Sequence, residues 1–256
     1  TVAYTKPIVT NVLPIEVPQI TDDKVLPLIR RLCHLLAAEQ ISYCHWKSNN
    51  ALDRSASGDN DLDLLVSQAD GLRFERILEQ LAFKQAKAPP EKEMPGVFDY
   101  FGYEAEVDKF VHVHLHYHLV LGHDSSKNYR LPIEKQYLES AEVNGLFRVP
   151  AVEFEFVVFV IRMALKHLSW DLMLGGEGNL KASEQRELEY LLARADQERV
   201  YEILTWCLPQ IDLALFDRCV AALQFKLPTW VRLQVGQQMQ AKIQATARRH
   251  PLLDLS

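Results

Sequence analysis

Residues 110–120 read Phe-Val-His-Val-His-Leu-His-Tyr-His-Leu-Val, an apolar run interrupted by histidines at alternate positions. Successive side chains of a β-strand point to opposite faces of the sheet. A strand over this stretch would carry apolar side chains on one face and four histidines on the other: His112, His114, His116 and His118. Because imidazole is a common metal ligand, the histidine face is a candidate metal site. A solvent-exposed face that is rich in histidine is the alternative.

A second stretch, residues 61–66, reads Asp-Leu-Asp-Leu-Leu-Val and repeats the alternation with carboxylates. On a strand, Asp61 and Asp63 share one face with their Cβ atoms roughly 6–7 Å apart, so both can reach one divalent ion. Exposed acids at a strand edge are the alternative. An uncompensated carboxylate inside so apolar a strand is costly, and a bound metal ion would compensate it.

Two strands that both present ligand-type side chains suggest one composite site. Adjacent strands lie about 4.8 Å apart, so a middle histidine can join the two aspartates around one ion. The four histidines span roughly 20 Å of strand, so at most two neighbours can share that ion. We therefore predict a metal site formed by Asp61, Asp63, His114 and His116.

Residues 44–49, Cys-His-Trp-Lys-Ser-Asn, lie at the end of another predicted strand. Lys47, Ser48 and the exposed backbone N–H groups of this segment have the donor chemistry that holds phosphate oxygens. An ordinary exit from a strand into a loop is the alternative, and the residue types alone do not separate the two.

The first 150 residues predict a mixture of strands and helices. Three prolines among β-branched residues indicate an extended arm over residues 1–21. The segments that follow are a helix beginning at 21–23, strands at 41–46 and 61–66, a helix at 69–82, a loop at 88–96, and antiparallel strands at 97–103 and 110–120. We expect the helix at 69–82 to turn five apolar side chains inward: Leu72, Phe74, Ile77, Leu78 and Leu81.

From residue 151 onward the pattern is helical. Apolar positions at helical spacing predict helices at 151–170, 183–195, 197–207, 210–223 and 229–249. The predicted fold class is therefore α+β: a mixed sheet with flanking helices over residues 1–150, followed by an all-helical domain over residues 151–256.

Composition narrows the class of protein. The chain has 256 residues, 48% hydrophobic and 24% charged, which is ordinary for a globular protein. Acidic side chains outnumber basic ones by 21 to 16 in residues 1–150 and by 13 to 12 in the rest. This balance argues against a nucleic-acid partner. No stretch is long and apolar enough to predict a membrane span.

The cysteines are informative about the cellular compartment of the protein. Cys33, Cys44, Cys207 and Cys219 show no paired spacing and lie in apolar stretches, which predicts buried, reduced thiols. With no signal-like N-terminus, we expect a cytoplasmic location. Because the chain lacks an initiator Met and ends abruptly, we expect a piece of a longer protein.

These motifs together resemble the nucleotidyltransferase fold of the DNA polymerase beta-like superfamily. The closer resemblance is to bacterial members in which His-Trp-Lys-Ser-Asn, Asp-Leu-Asp-Leu-Leu-Val and a His-x-His-x-His-Tyr strand recur, and it covers roughly residues 41–122. The resemblance implies a nucleotidyltransferase-like sheet with an NTP substrate and Mg²⁺ or Mn²⁺ as cofactor. Because those domains often precede a thymidylate-kinase-like domain, it also implies a kinase-like domain beyond the C-terminal end of this chain.

The resemblance also implies roles for single residues. Asp61 and Asp63 would be catalytic metal ligands, whereas Lys47, Ser48 and Asn49 would hold the triphosphate. The superfamily has a third carboxylate where this chain has His114. Histidine is a softer ligand that suits Mn²⁺ or Zn²⁺ better than Mg²⁺. His114 or His116 would then be the third ligand, or the base that deprotonates the acceptor.

Two basic residues of the helical half are further candidates. Arg162 and Lys166 lie four residues apart on one face of an otherwise apolar helix. Contact with the triphosphate is the functional interpretation. Ion pairs with buried acids, or extension of both side chains to solvent, are the alternatives.

Three functions are consistent with these residues. The first is metal-dependent transfer of an NMP group from an NTP to a hydroxyl of a small molecule or protein. The second is a catalytically inactive domain that binds a nucleotide or a partner and regulates an attached kinase-like domain. The third is a hydrolase or phosphodiesterase with a His/Asp metal centre.

Overall fold

The structure is a computed structural model that describes residues 21–87, 89, 93–122, 129–168 and 178–243. The predicted arm over 1–21 lies outside these residues except for Thr21, as do parts of the predicted loop at 88–96 and the ends of the predicted helices at 151–170 and 229–249. The described chain is a mixed α+β structure with a helical C-terminal region, as predicted.

A five-stranded sheet carries the predicted site. Its strands are β1 (Tyr43–His45), β2 (Leu62–Val66), β3 (Lys84–Ala86), β4 (Val97–Glu104) and β5 (Lys109–His116), in the order β1-β2-β5-β4-β3. The β2–β5 pair is parallel and the other pairs are antiparallel, so the sheet is mixed. Parallel pairing places the acidic and the histidine-rich strand side by side in the same direction.

Helices α1 (Pro27–Ala38) and α3 (Gly71–Gln80) enclose one of the two hydrophobic cores, and the short helix α2 (Leu52–Ala56) lies between β1 and β2. Alternate residues of β2 and β5, among them Leu64 and Val113, fill this core. The prediction that Leu72 points inward is wrong, since it is 73% exposed. Leu72 lies two residues before Phe74, which is about 200° around a helix from the buried stripe.

The predicted strand at 110–120 is interrupted. Strand β5 ends at His116, and Leu119–Leu121 forms β6 of a separate two-stranded sheet with β7 (Tyr129–Leu131). The chain turns at Tyr117, whose N–H donates to the Gly96 carbonyl at 2.7 Å. His118 therefore leaves the histidine row. The turn allows Leu119 and Leu121 to enter the second core.

The second core is helical and larger. Helix α5 (Val152–His167) packs against four helices that follow it: α6 (Ala182–Arg194), α7 (Gln197–Cys207), α8 (Leu213–Leu223) and α9 (Thr229–Ile243). The predicted helix at 210–223 begins only at Leu213, because Asp212 caps it by accepting the Leu215 N–H. Cys44, Trp46 and Leu65 of the sheet region belong to the same core. This core therefore crosses the boundary predicted near residue 150.

Short elements were not predicted. These are α2, β3, β7, helix α4 (Glu134–Glu139) and the hairpin of β8 (Glu142–Asn144) and β9 (Phe147–Val149). Segments of three to six residues are too short for a clear hydrophobic period. All four cysteines have free thiols; Cys207 is half-buried and the others are buried.

Candidate metal centre and the adjoining cavity

Three predicted ligands converge on one face of the sheet. Asp63 on β2 lies directly beside His114 on the parallel strand β5, and His116 follows two residues later on the same face. The His114 Nδ1 atom is 3.1 Å from Asp63 Oδ1 and 3.3 Å from His116 Nε2. One ligand atom from each of the three side chains lies within 4.8 Å of the others. Asp63, His114 and His116 are therefore placed to hold one metal ion.

Asp61 is not part of this triad. It precedes β2 instead of belonging to it, and its Oδ1 is 2.9 Å from His112 Nδ1. Its side chain is 55% exposed, compared with 13% for Asp63. Of the two predicted aspartates, Asp63 is therefore half-buried inside the site, whereas Asp61 lies at its open rim.

Burial increases along the histidine strand. The side chains of His112 and His114 are 23% and 14% exposed, and His116 is buried against the edge of the Trp46 ring, 5.0 Å away between centroids. His116 packs on Trp46, which belongs to the helical core, so this end of the histidine row lies beside that core. The triad therefore runs from the buried His116 to the partly exposed His114 and Asp63.

Lys47 contacts the inner aspartate. Its Nζ is 2.8 Å from Asp63 Oδ1 and 5.1 Å from the Trp46 ring centroid. Burial alone would raise the pKa of Asp63, but Lys47 and the contact with His114 hold that pKa far below its usual range. Asp63 is therefore ionised, as a metal ligand must be.

Asp99 is a site residue that the sequence reasoning missed. It lies opposite His114 on β4, with its Oδ1 2.8 Å from His112 Nε2 and 3.9 Å from His114 Nε2. His112 thus bridges Asp61 and Asp99. Burial acts to lower the pKa of His112, but hydrogen bonding to both carboxylates raises it to about 9. Pairing the facing ends of the two predicted strands, residues 103 and 110, would have placed residue 99 opposite residue 114.

A cavity of about 880 Å³ adjoins the centre, between the sheet and the helical region. Its described lining includes Lys47, Ser48, Asp61, Asp63 and the two candidates on α5. Charged side chains line the cavity on both sides. Residues 47–63 contribute four carboxylates and two cations, whereas the helical region contributes four cations (Arg162, Lys166, Lys181, Arg186) and three carboxylates (Glu184, Glu187, Glu189).

Carboxylates of the helical region hold the predicted phosphate segment. Ser48 has a left-handed backbone with φ of 58°, and its N–H and hydroxyl donate to Glu187 Oε1 and Oε2 at 3.1 and 3.3 Å. The Asn49 N–H donates to Glu155 Oε1 at 3.2 Å, and Asn49 Oδ1 is 2.8 Å from His45 Nδ1. Asn49 is buried and is not among the described residues that line the cavity.

The two basic candidates on α5 form ion pairs with α6. Arg162 Nη2 is 3.0 Å from Glu187 Oε1, and Lys166 Nζ is 2.9 Å from Glu184 Oε1. Pairing with acids was one of the alternatives expected from the sequence. Both side chains also line the cavity, so the structure places them beside the sheet site as well.

Comparisons with known protein families, with curated proteins and with solved structures found no match for this chain. Among the residues that the structure describes, no helix has the length and apolar character needed to span a membrane.

Proposed function

We propose that this protein is a metal-dependent nucleotidyltransferase that moves an NMP group from an NTP to a hydroxyl of a small molecule or protein. The convergence of Asp63, His114 and His116 beside a cavity with a cationic far side carries the proposal. An ion at the triad and cations across the cavity suit a ligand whose phosphates bridge the two sides.

The residues present fit a divalent ion, because an ionised carboxylate and two imidazoles surround one point. Asp63, His114 and His116 would hold the ion, which would supply positive charge to stabilise the charge that develops on the phosphates. Two nitrogen ligands favour Mn²⁺ over Mg²⁺. Asp61, at the open rim, is positioned to contact the ion or the phosphates from the solvent side. Lys47 and Ser48 would grip the distal phosphates.

Asp99 fits the role of the carboxylate that the superfamily has at the position of His114. It lies on the same sheet face one strand further along, within 3.9 Å of His114. A carboxylate there can accept the proton of an acceptor hydroxyl that approaches over the open half of the sheet. His112, which contacts both Asp61 and Asp99, would hold them in position.

One observation favours the regulatory alternative. Lys47, Ser48, Arg162 and Lys166 all contact carboxylates of the chain itself. A domain that has lost catalysis could retain these contacts as permanent structure. The two functions differ in whether NTP is consumed.

The test is incubation with each labelled NTP and Mn²⁺ or Mg²⁺, with and without cell extract as a source of acceptors. We expect label transfer with release of pyrophosphate, reduced roughly 100-fold in Asp63→Asn. Asp53→Asn is the matched control, since Asp53 lines the same cavity but is not one of the three triad residues. NTP binding without turnover in both wild type and Asp63→Asn would establish the regulatory function, and release of orthophosphate would establish a hydrolase.

A companion variant tests the departure from the superfamily. His114→Asp replaces an imidazole by a carboxylate at the centre of the triad. We expect the metal preference, measured by calorimetry with Mn²⁺ and Mg²⁺, to shift towards Mg²⁺. An unchanged preference would show that residue 114 does not bind the ion.

A further inference from the structure

The Glu187 carboxylate of α6 is surrounded by three hydrogen-bond donors of the kind that hold phosphate oxygens. It accepts the Ser48 N–H at 3.1 Å, the Ser48 hydroxyl at 3.3 Å and Arg162 Nη2 at 3.0 Å. A backbone N–H, a hydroxyl and a guanidinium together are the groups that proteins use to hold phosphate oxygens. We call Ser48 and Arg162 the Glu187 seat.

Glu184 occupies a similar position one helical turn earlier. Its carboxylate accepts from Lys166 Nζ at 2.9 Å and from the Lys181 N–H at 2.8 Å, and lies 3.0 Å from His167 Nε2. Side chains three residues apart on a helix are neighbours, roughly 5–6 Å apart at Cβ. The donors around Glu184 and the Glu187 seat therefore lie side by side along α6, as adjoining phosphate groups of a polyphosphate do.

Donors remain at this side of the cavity after both carboxylates are counted. Arg162 Nε has no hydrogen-bond partner among the described residues. Lys181 and Arg186 line the cavity and form no ion pair with any residue that the structure describes. This wall therefore has donors available for a ligand with more negative charge.

Glu187 is also close to a second buried carboxylate. Burial, reinforced by Glu187, raises the pKa of Glu155 to about 7. When Glu155 is ionised, it repels the Glu187 carboxylate, which lowers the cost of moving Glu187 away from Ser48 and Arg162.

We propose that the Glu187 seat binds a phosphate group of a polyphosphate ligand and that Glu187 is its internal competitor, which the ligand must displace from Ser48 and Arg162. The proposal deepens the proposed function, since the ligand would be the triphosphate of the NTP. It identifies Glu187 as a residue that weakens nucleotide binding and so sets the NTP concentration at which the site fills.

The test is calorimetric titration of the full chain with inorganic tripolyphosphate in the absence of divalent ions. We expect Glu187→Gln to raise the affinity about tenfold, because the ligand no longer competes with a charged hydrogen-bond acceptor. Glu189→Gln is the matched control. It removes one negative charge from the same helix and cavity but no contact with the seat, so we expect a change of less than about twofold.

Two further variants keep the test decisive. Glu187→Asp retains the charge but shortens the reach to Ser48, so it should also raise the affinity, including in the case that Glu187→Gln does not fold. Ser48→Ala in either background should reverse the gain. Equal effects of Glu187→Gln and Glu189→Gln, or weaker binding in both Glu187 variants, would overturn the proposal. Because no ion or turnover is involved, failure of the transferase assay does not alter these outcomes.

Discussion

At the scale of single residues, the centre is defined by how each buried charge is compensated. Asp63 is only 13% exposed, and Lys47 at 2.8 Å offsets the cost of burying its carboxylate. The same contact holds the pKa of Asp63 far below its usual range. Lys47 Nζ and His114 Nδ1 both lie against the same oxygen, Asp63 Oδ1, at 2.8 and 3.1 Å.

The surroundings of Glu155 raise its pKa, whereas those of Asp63 lower the pKa of that residue. Glu155 is buried in α5 close to Glu187, and these two effects raise its pKa to about 7, although the Asn49 N–H and Arg162 act to lower it. The pKa of an unfolded glutamate is about 4.3. The native state therefore holds an extra proton between about pH 4.3 and 7, and stability falls as the pH rises through this window.

Glu155→Gln tests this dependence. Glutamine cannot ionise, so the variant should lose the decline, with a free energy of unfolding up to about 3 kcal/mol above wild type near pH 8 and similar to it near pH 4. Urea unfolding at both pH values measures the difference. Glu202→Gln, an exposed position on α7, is the control and should follow wild type. A constant difference between Glu155→Gln and wild type at all pH values would contradict the raised pKa.

At the scale of elements, the packing of α9 on α5 depends on one glycine. Gly236 of α9 is buried, and a Cβ atom there would lie 1.9 Å from the Leu168 carbonyl oxygen at the end of α5. That distance is far shorter than any allowed contact, and the obstacle is backbone, which a rotamer change cannot relieve. The close approach brings the buried side chains of both helices into one core.

Gly236→Ala should therefore be destabilising, by about 1–3 kcal/mol, because the two helices must separate. In an exposed helix the same change stabilises by roughly 0.5–1 kcal/mol, so the sign itself is diagnostic. Thermal or urea unfolding measures the effect. Gln237→Ala, at the next and exposed position of α9, should change stability by less than about 0.5 kcal/mol. A stabilised Gly236→Ala would show that the helices are not in contact there.

At the scale of the whole molecule, the sheet and the helices share a core. Cys44, Trp46 and Leu65 lie in the same hydrophobic cluster as α5–α9. The contacts of Ser48 and Asn49 with acids of α6 and α5 add polar links across the same boundary. We therefore expect the two parts to depend on each other for stability.

Separate fragments test this dependence. We expect residues 1–150 alone to show little cooperative unfolding, because the fragment would expose the apolar surface around Trp46. In the full chain, Trp fluorescence and far-ultraviolet circular dichroism should report one coincident urea transition. Two independent cooperative transitions, each reproduced by a fragment, would instead support two autonomous domains divided near residue 150.

The sequence by itself determined the longer elements and the faces of the two site-bearing strands. Alternation placed His112, His114 and His116 on one face, and it placed Asp63 on the matching face of its own strand. Helical spacing identified the five C-terminal helices within a few residues at their described ends. These properties are local, because a side chain's direction on a strand or helix follows from its position in the repeat.

The tertiary structure alone decided which faces meet. It paired β2 with β5 in parallel, so that Asp63 lies beside His114, and it brought Asp99 to the same site from β4. It also ended the histidine strand at His116 and directed Glu187 to Ser48. Two of these contacts join residues more than 50 positions apart, Asp63 with His114 and Ser48 with Glu187. They follow from the burial of two shared cores, which no local period records.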